Sequence, residues 1–191
     1  YTNILIKYDK QIKIKTLLWE HQEKTVETIV DGYINKKKRG FGDASHVGAG
    51  KTLTAITIAQ KLFNYNITKL TDKNIHTGFL VMVPSINLYQ TWIDEINKHT
   101  EGFDLIIQNS DGSYNGNIKI NTIFLTTMGR MREHPITNLW ILTIIDECLT
   151  VQNKDALQTE EAWRQTTYSQ YGVLMMSATF FRSRFDKFLF M

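Results

Sequence analysis

Cysteine is nearly missing from this sequence: Cys148 stands alone among 191 residues. A single thiol excludes an internal disulfide framework and suits a reducing, intracellular compartment, cytoplasm or nucleus. Proline is almost as scarce, with only Pro84 and Pro135, so no proline-rich linker divides the chain. No apolar stretch reaches the roughly 18 residues that a membrane-spanning helix needs. The basic-then-apolar order of a signal peptide is also lacking, and the chain opens on Tyr1 rather than Met, as expected of a piece of something larger. A strong charge of one sign is lacking too. A net charge of +3 does not by itself call for a nucleic-acid partner, and the basic run from Lys36 to Arg39 reads as a solvated loop. With the histidines scattered and no second thiol near Cys148, neither a zinc site nor thiol chemistry is indicated.

What is present is ordinary globular composition, 42% hydrophobic and 21% charged. The length allows one domain with a sizeable core and is too short for two full α/β domains. Apolar positions Val26, Ile29, Val30 and Tyr33 predict a helix over 19–34. A short strand from Phe41 to Ser45 leads into a glycine turn and a helix from about Lys51 to Phe63, with Leu53, Ile56, Ala59 and Phe63 on its buried stripe. The runs Gly78–Val83 and Trp140–Ile145 are apolar without alternation, the mark of strands covered on both faces. Further strands are expected at 122–125 and 172–176, and helices at 87–98 and 154–167. The fold class expected is α/β, a three-layer, doubly wound and mainly parallel sheet, with ligands beyond the carboxyl ends of its strands.

Gly48-Ala49-Gly50-Lys51-Thr52 lies between a short strand and a helix, where phosphate-binding chemistry needs it. Glycines let successive backbone N–H groups turn toward one phosphate, and the helix N-terminus adds positive potential. Lys51 can reach the β- and γ-phosphates, and the Thr52 hydroxyl can hold Mg²⁺. The general phosphate-loop pattern has glycine where this chain has Ser45. Far downstream, Ile144-Ile145-Asp146-Glu147 sets two carboxylates at the end of the most apolar strand. Alone, such a pair often caps a helix. Downstream of a phosphate loop it completes a site, with Asp146 holding Mg²⁺ and Glu147 orienting or deprotonating the attacking water.

The order of the remaining motifs resembles the first RecA-like domain of a superfamily 2 helicase, within the Swi/Snf-like ATPase group and similar to poxvirus nucleoside triphosphatases. Leu17-Leu18-Trp19-Glu20-His21-Gln22 is similar to the leading motif, which implies that Gln22 reads the adenine edge. Gly42 through Thr52 resembles the extended phosphate loop of that group, which does not require glycine at the Ser45 position. Val83 to Leu88 with Gln90, Trp92 and Glu95, and Thr126-Thr127-Met128, resemble motifs that face nucleic acid. Asp146-Glu147-Cys148-Leu149 with Asn153 is similar to the acidic box, and Ser177-Ala178-Thr179 to the motif that couples hydrolysis to movement.

The resemblance implies that residues 1–191 are one helicase ATP-binding domain, partnered by a second RecA-like domain of the same polypeptide that is absent from this chain. It implies ATP and Mg²⁺ as ligands, and a nucleic-acid partner, double-stranded DNA before RNA. Ser85, Thr126 and Thr127 would grip phosphates of one strand without reading bases. Trp19 and Trp92 read as core or adenine-side packing. Two departures stand out. Leu149 replaces a polar residue that normally bonds toward the coupling motif, which Leu cannot do, and Phe180 replaces the usual proline after Ser-Ala-Thr. An RNA-dependent ATPase, a restriction-enzyme motor and an inactive nucleic-acid-binding scaffold are the alternative functions, and a virus-encoded protein is the source implied.

Overall fold

The computed structural model describes residues 11–43, 50–69, 76–146 and 156–176, with backbone alone at 156–159. Its centre is a six-stranded sheet. In chain order the elements are β1 (Lys13–Ile14), α1 (Glu20–Ile34), β2 (Gly40–Asp43), α2 (Lys51–Thr68), β3 (Phe79–Val83), a 3-10 turn (Ile86–Leu88), α3 (Tyr89–His99), β4 (Thr100–Glu101), β5 (Asp104–Ile107), β6 (Thr122–Thr127), α4 (Met128–Glu133), β7 (Leu142–Asp146), α5 (Ala156–Thr167) and β8 (Val173–Met176). The strand order is β2-β8-β7-β3-β6-β5, and every pairing in this sheet is parallel. The short strands β1 and β4 pair antiparallel beside it.

Alternation along the central strands builds the layers. Phe79, Val81 and Val83 of β3 pack on one face with residues of α1, α2 and α3. Leu80 and Met82 point to the other face, with Met128 and Met131 of α4 and Ala162 of α5. A strand buried on both faces has no polar positions to spare, which is why its sequence reads as an unbroken apolar run. The three-layer, mainly parallel architecture expected from the sequence is the one observed.

Helix α2 runs past Phe63 to Thr68. Two asparagines hold its last turns in place: Asn64 Oδ1 accepts from the Ile12 backbone N–H at 3.0 Å, and Asn66 Nδ2 donates to Gln170 Oε1 at 2.8 Å. Burial of Ala55, Ile58 and Leu62 beside the expected stripe shows that α2 is covered on more than one side. Three features go beyond the sequence expectation, namely β5, α4 and the β1–β4 pair. All are short, with β1 and β4 only two residues each, too brief to leave a periodic pattern.

Gly172 fixes the start of β8. It has φ +95, and a Cβ built there would lie 1.9 Å from the carbonyl oxygen of Arg39. That carbonyl accepts the Val173 N–H at 3.0 Å, so β2 can join the sheet only because residue 172 has no side chain.

Candidate nucleotide site

The carboxyl ends of the strands carry the polar groups. Asp43 ends β2 and Asp146 ends β7, and both stand level with Met176 of the intervening β8. This sets the exit of the strand that feeds the phosphate loop two strands away from the acidic end of β7, as the doubly wound topology requires of a ligand site.

Gly50 opens α2 in the left-handed conformation, φ 74 and ψ 39. Its carbonyl accepts the Thr54 N–H at 2.9 Å and the Thr54 hydroxyl at 3.1 Å, which closes the first turn. Lys51 and Thr52 follow at the helix start, both half-buried. No acidic residue sits in the first turn of α2, so no carboxylate of that turn offsets the partial positive charge of the helix end. The helix is 18 residues long, enough for its aligned peptide dipoles to act at that end.

Gln22 meets this helix start from the first turn of α1. Its side chain is only 4% exposed. Oε1 accepts the Trp19 N–H at 2.9 Å, and Nε2 lies 3.4 Å from the Gly50 carbonyl. A Cβ on Gly50 would come within 2.2 Å of that nitrogen, so the glycine serves a close approach as well as a left-handed turn. The segment leading to Gln22 is held by α3: Lys15 N–H donates to the His99 carbonyl at 2.7 Å, Thr16 hydroxyl bonds His99 Nδ1, and His99 Nε2 lies 2.8 Å from a Glu95 carboxylate oxygen. Trp19 is 61% exposed. Of the two expectations for Trp19, core or adenine-side packing, the core one is corrected, because the residue precedes α1 with its ring tilted against His21 rather than on the buried face.

Asp146 is half-buried, and its Oδ2 accepts the indole N–H of Trp92 at 2.9 Å. Trp92 is 1% exposed, so its core placement agrees with the sequence, while its bond to the acidic residue was not foreseen. The two residues are 54 positions apart, and no local spacing signals that contact.

Ser85 ends the β3 turn half-buried, its hydroxyl accepting the Asn87 N–H at 3.3 Å. Thr126 and Thr127 end β6. Thr126 is 0% exposed, and its hydroxyl donates to Gln108 Oε1 at 2.5 Å. The Thr127 hydroxyl accepts the Arg130 N–H at 3.0 Å and caps α4. Both hydroxyls have partners inside the protein, Thr126 as donor and Thr127 as acceptor. Beside them Arg130 donates to the Gln108 carbonyl at 2.6 Å and packs over the Tyr89 ring. Burial raises the Tyr89 pKa, and the nearby Arg130 charge opposes the rise only in part.

Gly48, Ala49, Glu147, Ser177, Ala178 and Thr179 lie outside the described residues, as do Cys148, Leu149, Asn153 and Phe180. Among the described residues no group of three or more His, Cys, Asp or Glu side chains could cage a metal. A hydroxyl at Thr52 and one carboxylate at Asp146 suit a small hard cation that keeps its remaining positions for water and substrate phosphate, as Mg²⁺ does. No helix among the described residues is long and apolar enough to cross a membrane.

Comparison with known proteins gives this site a setting. A family profile described as "Type III restriction enzyme, res subunit" matches residues 15–182. A protein of Acanthamoeba polyphaga mimivirus named as a helicase is 52% identical over 182 residues, 93% of this chain but 14% of that protein. The chain thus spans about one seventh of this relative's length. Among solved structures, the Sulfolobus solfataricus SWI2/SNF2 ATPase core in complex with dsDNA superposes with TM-score 0.65 at 23% identity, over 89% of this chain and 34% of that one. S. cerevisiae Dbp5 bound to RNA and ADP BeF3 superposes with TM-score 0.57 at 18% identity, over 96% and 45%. At these identities the superpositions speak for the fold.

Proposed function

We propose, on the premise that this chain belongs to the type III restriction enzyme res-subunit family of helicase-like ATPase motor domains, that it binds ATP with Mg²⁺ and hydrolyses it to drive movement on nucleic acid, double-stranded DNA first among the candidates. The observation that carries this reading is a convergence. The N-terminus of α2, with Lys51 and Thr52, meets the Gln22 amide at Gly50, and Asp146 ends β7 two strands from Asp43, the exit of the strand that leads toward α2.

In the reaction a water oxygen bonds to the γ-phosphorus, the bond from that phosphorus to the β–γ bridging oxygen breaks, and ADP departs. Lys51 and the backbone amides of Gly48, Ala49 and Gly50 meet phosphate charge. Thr52 and Asp146 would hold Mg²⁺, which supplies charge neutralisation of the phosphate oxygens when bound. Glu147 positions the water and takes its proton. Ser177, Ala178 and Thr179 link the nucleotide state to a second RecA-like domain elsewhere in the polypeptide. At the nucleic-acid edge, Ser85, Thr126, Thr127 and nearby backbone are the groups assigned to phosphate contact, a sequence-independent grip. The whole of residues 1–191 forms one ATP-binding domain, and the mimivirus relative supports a viral source.

Gln22 gives a selective prediction. Gln22→Ala raises KM for ATP about tenfold and leaves KM for GTP unchanged, because a buried amide that reads an adenine edge discriminates only against bases that mismatch it. Equal changes for ATP and GTP would assign Gln22 a purely structural role. The functional reading as a whole is tested by hydrolysis in the polypeptide carrying both motor domains, without polynucleotide and with duplex DNA, single-stranded DNA or RNA, each beside Glu147→Gln. Stimulation by duplex DNA, lost in the variant, is expected. Stimulation by RNA alone reassigns the polynucleotide, and no hydrolysis under any condition makes the domain a scaffold.

A further inference from the structure

We infer that Trp92 is a positioning residue for metal binding: its indole N–H fixes the Asp146 carboxylate in the orientation that receives Mg²⁺. This rests on the proposed assignment of Asp146 as a metal-holding residue and deepens it.

The geometry is specific. Trp92 lies in α3, 1% exposed, and belongs to the core cluster that α1, α2 and α3 form over the sheet. Its ring is therefore held by packing on several sides. The indole N–H is a donor only, and a buried donor must find an acceptor or bear its full desolvation cost. It finds Asp146 Oδ2 at 2.9 Å. A donor-only partner accommodates the ionised carboxylate, the form a metal needs, and it constrains rotation of the carboxyl group about its last side-chain bond. Asp146 is the last residue of β7, at the carboxyl end of the strand. Helix α3 also carries Glu95 and His99, which hold the segment leading to Gln22. One helix thus supports both the group assigned to the metal and the approach to the group assigned to adenine.

Trp92→Phe keeps most of the packing volume and removes the N–H, so the loss falls on orientation. Groups that orient a metal-holding side chain are typically worth about 10–100-fold in metal affinity or activity. In the 191-residue chain, a fluorescent ADP analogue is titrated with and without Mg²⁺. The expected result is a half-saturating Mg²⁺ concentration raised by about tenfold or more in Trp92→Phe, with metal-free nucleotide affinity unchanged. An unchanged Mg²⁺ dependence, or an equal loss of metal-free binding, overturns the assignment. If the folded wild-type chain shows no Mg²⁺-dependent binding, the site reading itself fails and this one with it. If the wild type responds and Trp92→Phe matches it, only the role of Trp92 is lost.

A second measurement avoids any change at Trp92. The chain has four tryptophans, and one buried indole N–H resonance should move both in Asp146→Asn and on addition of Mg²⁺ with ADP. No indole shift in Asp146→Asn overturns the proposal, whether or not Trp92→Phe folds.

Discussion

Asp146→Asn is expected to lower kcat for ATP hydrolysis by on the order of a hundredfold or more, with little change in melting temperature. The two side chains are nearly isosteric, and the amide oxygen of asparagine still accepts the Trp92 N–H, so the packing at the end of β7 survives. The negative charge does not. A metal polarising a phosphoryl oxygen supplies several kcal/mol of transition-state stabilisation, and about 1.4 kcal/mol corresponds to a factor of ten in rate. The check is steady-state hydrolysis at saturating Mg²⁺ in the polypeptide with both motor domains, paired with thermal melting. A variant that melts like wild type and retains wild-type kcat would remove Asp146 from the reaction. A large fall in melting temperature would instead make the residue structural.

The largest effect on stability is expected far from that chemistry, at the opposite end of the sheet. Gly172→Ala should destabilise the fold by about 3 kcal/mol or more, lowering Tm by roughly 10 °C. Two causes add. The residue has φ +95, a region that costs a residue with a Cβ about 1–3 kcal/mol. The new methyl would also lie 1.9 Å from the Arg39 carbonyl oxygen and 2.8 Å from its carbon. Those are backbone atoms and cannot swing aside as a side-chain tip can. Relief requires β2 to move away from β8, and β2 is the strand that leads into the phosphate loop. Gly116→Ala is the natural control, because Gly116 has φ +91 but no atom nearer than 3.8 Å to the added Cβ. It should show the conformational cost alone. Equal melting shifts in the two variants would mean that the contact with Arg39 carries no weight.

Much of the sheet was legible because burial on both faces leaves a plain trace. Strands β3 and β7 read as apolar runs, and the helices between strands kept their periodic stripes. Shorter elements left no trace, and the four residues of β5, apolar only at Leu105, Ile106 and Ile107, make too brief a run to stand out. The length of α2 escaped notice because its last turns are held by Asn64 and Asn66, whose partners lie 52 and 104 residues away. Long-range polar pairs are set by tertiary structure, and no periodicity encodes them.

The same limit governs the site. Gly50, Lys51 and Thr52 form one local unit, so their place at the start of α2 followed from the sequence. Thr126 was read only through its motif, as a group facing nucleic acid. Its partner in the structure, Gln108, comes from the segment after a neighbouring strand. Trp92 carried a motif position but no hint of its acceptor. For Trp19 the sequence left core and adenine-side packing open, and its exposure ahead of the helix removes the first.

The most direct measurement is calorimetric titration of ATP into the folded 191-residue chain, with and without Mg²⁺, beside Lys51→Ala. Saturable, Mg²⁺-dependent binding by the wild type, lost in a variant of unchanged melting temperature, is the expected result. Absence of binding in the folded wild type, or equal binding by Lys51→Ala, would contradict an ATP site at the start of α2.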